Sequence, residues 1–137
     1  MAVNTRFSTG IHTLVLLAAD PDVQQTSDEL AGKLNTNPVV IRRVLSLLRQ
    51  AGLVTSQKGP SGGSKLAKPG KAIRLGDIYR ALEPISIFHG SNFTGEHADK
   101  VNGALEKIYR DAQEALEAEL DATTLNQLAK RSEKKKK

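Results

Sequence analysis

The chain has 137 residues and no cysteine. That length suits one domain with a further element, and the missing thiols exclude disulfides, thiolate catalysis and Cys-ligated zinc or iron–sulfur centres. The net charge of +5 is unevenly spread: residues 1–75 carry ten Lys and Arg against four Asp and Glu (+6), residues 76–129 four against ten (−6), and residues 130–137 six against one (+5).

With three Phe, two Tyr and no Trp, the core must come from Leu, Val, Ile and Ala, which suits packed helices. No apolar run approaches the ~20 residues of a membrane span. The start MAVNTRFSTG lacks a basic-then-apolar signal segment. A cytoplasmic protein without membrane contact is expected.

In chain order, Arg6 to Ala19 reads as a helix, with Phe7, Ile11, Leu14, Val15 and Ala18 at three-to-four spacing. Asp20-Pro21-Asp22 stops it, because Pro moves the preceding residue away from helical angles. Thr26-Ser27-Asp28-Glu29 is a capping box that opens a second helix to about Leu34. After the turn Asn35-Thr36, Asn37 caps a third helix and Pro38 takes its first position, where no N–H is needed. Val40 or Ile41, with Val44, Leu45, Leu47 and Leu48, forms its buried stripe. Val39, Arg42, Arg43 and Arg49 lie off that stripe, and Gly52 ends the helix. Two helices joined by a tight turn form a helix-turn-helix, whose second helix is offered to a major groove.

Leu53 to Gln57 and Ser64 to Ala67 read as the strands of a hairpin around Lys58-Gly59-Pro60-Ser61-Gly62-Gly63. Glycines let the backbone approach phosphate or enter a minor groove, and Lys58 and Lys65 supply charge. In this position the hairpin is a wing. Lys68 to Lys71 reads as a linker, and Ala72 to Leu75 leads into a helix over 76–82 that packs through Ile78, Tyr79 and Leu82. Glu83-Pro84 breaks it.

Residues 85–97, ISIFHGSNFTGEH, form a connecting loop whose Ile85, Ile87, Phe88 and Phe93 are expected to pack on the helical domain. His89, Glu96, His97 and Asp99 match no ligand spacing, so neither a metal nor another cofactor is expected. Ala98 to Leu120 reads as a long helix. Val101, Leu105, Ile108, Ala112, Leu116 and Leu120 make a coiled-coil-like seam, for which a second copy of the chain is the simplest partner. A short helix over 121–128, capped by Asp121 or Thr123, and a disordered basic tail over 130–137 complete the chain.

The order of these features resembles the BadM/Rrf-type winged-helix regulators. The resemblance rests on SDELAGKL, VIRRVLSLLRQAGLVTSQKGPSGGSKLAKP and IRLGDIYRALE. It covers Asn4 to Pro84 closely and the long helix with its successor more loosely. It implies a mainly α fold with a small β-hairpin wing: a winged helix-turn-helix domain over 1–84, the loop over 85–97, and a dimerisation helix with a short terminal helix over 98–129. By resemblance, the protein is a homodimeric transcriptional regulator, usually a repressor, that binds a near-palindromic operator in double-stranded DNA. Residues Asn37 to Arg43 then read the major groove, and Lys58 with the wing glycines enters the minor groove.

The expected DNA-contacting set is Thr26, Ser27, Asn37, Val39, Arg42, Arg43, Lys58, Ser61, Gly62, Gly63 and Lys65. Many relatives place Glu where Arg42 stands; Arg favours guanine edges or phosphate, so their operators do not transfer. Sensing relatives carry three cluster-binding cysteines in the loop, and this chain has none, so its effector is left open. A reading from another class is a winged-helix module for protein or ligand binding, which would show no salt-dependent duplex binding. An enzyme is not expected, because no nucleophile–base constellation is present.

Overall fold

The computed structural model describes residues 5–83, 85–88 and 90–134. The expected break at Pro84, the candidate ligand His89 and tail residues 135–137 lie outside them. The elements are α1 (Arg6–Ala19), α2 (Ser27–Leu34), α3 (Pro38–Gln50), β1 (Val54–Gln57), β2 (Gly63–Leu66), a 3-10 turn at Gly70–Ala72, α4 (Leu75–Leu82), α5 (Glu96–Asp121) and α6 (Leu125–Lys134). The architecture is a mainly α winged helix-turn-helix with a long C-terminal helix.

Local signals start α2 and α3 and stop α3. Thr26 Oγ accepts the Glu29 N–H at 3.1 Å, and Glu29 Oε1 accepts the Thr26 N–H at 3.0 Å. These bonds from Thr26 hold the exposed Glu29 carboxyl below the usual carboxylate range. Replacing Thr26 with Ala is expected to lower stability by about 1 kcal/mol, seen as a lower urea midpoint with an unchanged m-value. On α3, Asn37 Oδ1 accepts the Val39 N–H at 2.8 Å, and the helix stops before Gly52, whose φ is 79°.

The core is aliphatic, as the scarcity of aromatics requires. Leu14 and Leu17 of α1, Leu30 and Ala31 of α2, and Ile41, Val44, Leu45 and Leu48 of α3 close on Leu53, Val54, Ile78 and Leu82. Ile41, not Val40, takes the α3 core position. Strands β1 and β2 pair antiparallel with Val54 opposite Leu66 and Gln57 opposite Gly63. Gln25 adds one rung beside Ser64, through reciprocal backbone bonds of 3.0 and 2.8 Å.

The structure departs from the expected organisation at five points. Gly70 is not in an exposed linker: it is buried in the 3-10 turn against Asn126 of α6. Leu125 is fully buried in the winged-domain core beside Ile73, and its N–H donates to the Ile73 carbonyl at 2.8 Å. The terminal helix therefore folds back onto the first domain instead of sharing a separate unit with α5.

The cap of α6 is neither Asp121 nor Thr123. Thr124 forms a capping box with Gln127, with bonds of 2.9 and 3.2 Å. Once nucleated, a helix extends through good helix formers, and cations suit its C-terminal end. Residues 130–134 of the supposed disordered tail are accordingly helical.

Finally, Ile85, Ile87 and Phe93 are 69%, 53% and 77% exposed. The loop is held instead by polar bonds from Ser86 Oγ and the Ile87 N–H to Gln113 Oε1, and by Phe88 stacked on Tyr109 at 5.5 Å.

Candidate nucleic-acid interface

Helix α3 buries one side, centred between Ile41, Val44 and Leu48. At 100° per residue the opposite side is Val39, Arg43, Ser46 and Gln50. Arg42 and Arg49 flank it toward the wing, and Val40 and Leu47 flank it toward α1. The adjacent arginines thus serve different surfaces.

Arg42 lines a cleft of about 340 Å³ between α2, α3 and the wing, with Thr26, Ser27, Leu45, Arg49, Ser56, Gln57, Gly63 and Ser64. Arg43 lines a second groove, of about 390 Å³, with Arg6, Val40, Val44, Ser46 and Leu47. Arg42 lies 3.6 Å from Asp28 with both side chains exposed. Such a pair is worth little, so a phosphate or guanine edge can displace it.

The cleft brings Thr26, Ser27, Arg42 and Gly63 together. Asn37 and Val39 stand at the adjacent start of α3. The cap engages the Asn37 side-chain oxygen, so what Asn37 offers a base edge is its amide N–H2. Lys58 and Ser61 are exposed at the wing tip.

Lys65 does not join this surface. It stands opposite Thr55 in the ribbon and lines a groove with Pro21, Asp22, Lys68 and Pro69. Side chains alternate faces along a strand, so Ser64 faces the cleft and Lys65 the other side.

Sequence reasoning left Arg49 out of the contacting set, although it lies seven residues, two helical turns, beyond Arg42. Its Nη1 donates to Ser56 Oγ at 3.2 Å, and Ser56 Oγ lies 3.1 Å from Ser64 Oγ. Arg49 therefore ties α3 to the wing.

The wing glycines have an internal reason as well. A Cβ on Gly62 would land on the Gln57 carbonyl oxygen, and one on Gly63, at φ 142°, would lie 2.7–2.9 Å from the Gln25 backbone. The tight hairpin turn over the Gln57 and Gly59 backbone demands the first, and close packing of the ribbon on Gln25 demands the second, whatever the wing touches.

Residues 3–131 match the family described as "Rrf2: Iron-dependent Transcriptional regulator". The chain is 36% identical over 128 residues to YwnA of Bacillus subtilis, named as an HTH-type transcriptional regulator, covering 90% of this chain and 93% of that one. Among solved structures it is similar to CymR, the global cysteine regulator of B. subtilis, with TM-score 0.71, 29% identity, and coverage of 96% and 98% of the two chains. It shares the fold of T. potens IscR at TM-score 0.70 and 23% identity, covering 100% of this chain and 92% of that one.

The iron named in the family description finds no thiolate ligand, because the chain lacks cysteine. Among the described residues no three His, Asp or Glu side chains gather as an alternative ligand set. A Cys-ligated cluster does not fit this chain.

Proposed function

We propose a function from one premise: the chain belongs to the Rrf2 family of transcriptional regulators. It is a regulator and not an enzyme, as are the proteins it matches. On our reading it binds double-stranded DNA as a homodimer at a near-palindromic operator, represses transcription there, acts in the cytoplasm and uses no iron–sulfur cluster.

The observation that carries the DNA reading is the convergence of Arg42, Arg49, the α2 start and the wing on one cleft beside the outward face of α3. Arg43 and Val39 occupy that outward face, and Lys58 extends the basic surface along the wing. Two such helices in a dimer enter successive major grooves about 34–36 Å apart.

The pairing reading rests on α5. Its 26 residues span about 39 Å, whereas the eight of α4 cover about 12 Å. None of its residues is buried in the single chain. Val101 and Ile108 are 44% and 60% exposed. With Leu105, Ala112, Leu116 and Leu120 they offer a stripe that a second α5 covers.

Titration of the full chain into a fluorescent duplex across a salt series tests the DNA reading. The expected result is an affinity that falls linearly in log–log form, with a slope of about −0.9 per phosphate neutralised. A flat salt dependence, or no binding at low salt, overturns it.

A further inference from the structure

The C-terminal part of α5 is fastened to α4 by a charged cluster that the DNA surface does not use. Arg80 reaches Asp121 Oδ1 at 2.7 Å, Glu117 Oε1 at 3.0 Å and Asp77 Oδ1 at 3.2 Å. Arg74 Nη1 donates to the Asp121 carbonyl at 2.8 Å. Gln113 Nε2 donates to Tyr79 Oη at 3.2 Å and to Glu117 Oε2 at 3.0 Å. Gly76 lies under this cluster, and a Cβ there would land on the Asp121 carboxylate.

Bonds to Asp121 and then Glu117 hold the Arg80 proton more tightly than usual. Gln113 and then Arg80 hold the Glu117 carboxyl below its usual range. A guanidinium shared by three carboxylates has far more fixed geometry than an isolated surface pair. Next to it, the Leu75 N–H donates to the Thr123 carbonyl at 2.9 Å. The C-terminal end of α5 is thus fastened to α4, while Val101 and Ile108 toward its other end are exposed.

We infer that Arg80, acting through Asp121 and Glu117, is the positioning residue that fixes the α5 lever against the winged domain and so sets the half-site spacing the dimer accepts. The inference rests on the proposed function, in which α3 reads DNA and α5 pairs. The lever magnifies small errors. Over the ~39 Å of α5, a tilt of about 10° moves the far end ~7 Å, or about two base-pair steps of ~3.4 Å. A loosened clamp therefore admits operators whose half-sites differ in spacing. The cluster is partly exposed and lies outside the aliphatic core, so its loss leaves the domain folded.

The test selects binding sites from a random-sequence duplex library with the full-length wild type, Arg80→Ala, Arg80→Lys and Asp121→Asn. Affinities are then measured on the selected operator and on a duplex carrying one half-site. Wild type is expected to enrich a single spacing. Arg80→Ala and Asp121→Asn are expected to enrich two or more spacings and to lose about tenfold on the intact operator. Their single half-site affinity and melting temperature should stay near wild type, and Arg80→Lys should fall between.

If wild type selects one spacing and Arg80→Ala and Asp121→Asn retain it at unchanged affinity, the inference is overturned alone. If wild type selects no paired half-sites, the proposed function fails and the inference with it. Should Arg80→Ala not fold, Asp121→Asn and Arg80→Lys decide the matter by the same readouts.

Discussion

Replacing Arg42 and Arg43 together with alanine is expected to weaken operator binding by about thirtyfold per half-site or more. A good arginine contact to a base is worth about 1–3 kcal/mol, and about 1.4 kcal/mol is a factor of ten. Two contacts at the low end give that figure. The salt slope should also fall if either side chain meets phosphate. Because Arg42 lines the wing-side cleft and Arg43 the opposite groove, the single variants should differ in which operator positions they relax. Anisotropy titrations over a salt series, on the operator and on single-base variants of it, measure all of this. A double variant with wild-type affinity and slope would remove both arginines from the interface.

The second large effect is expected at the α5 seam. Ile108→Asp should convert the dimer to monomer in light scattering and abolish cooperative operator binding. An unpaired carboxylate at the centre of an apolar seam is strongly disfavoured. Ile108 is 60% exposed in the single chain, so the folded protomer should keep its melting temperature. Leu105→Asp should act in the same direction, with some loss of protomer stability because Leu105 is half-buried. A dimer mass for both variants would rule out this seam.

These expectations separate what is local from what is not. The Thr26–Glu29 box, the Asn37 cap with Pro38 and the stop at Gly52 were legible because each signal acts within about one helical turn. The exposed set on α3 was legible because helical periodicity places it opposite the core stripe. Arg49 obeys the same periodicity; the bond to Ser56 that brings it to the wing joins two elements and shows only in the fold.

Other features have no local signature. Leu125 and Ile73 meet across 52 positions, and Arg80 and Asp121 across 41. Neither pair belongs to a common periodic pattern. The Ile85–Phe93 loop misled for the same reason: its apolar residues looked like core, but the aliphatic core was already closed by α1 to α4 and Leu125. Lys65 lies on the face of the ribbon away from the Arg42–Arg49 cleft, which strand register decided.

By itself, the sequence determined the helix-turn-helix, the wing, the basic N-terminal half and the absence of any thiolate ligand, because composition, caps and periodicity are properties of short windows. Only the tertiary structure decided that α6 closes the core of the winged domain, that Arg42 and Arg49 share a cleft from which Lys65 is excluded, and that Arg80 locks α5 to α4. Those outcomes depend on which distant surfaces meet, and burial and charge pairing become specific only after the chain has folded.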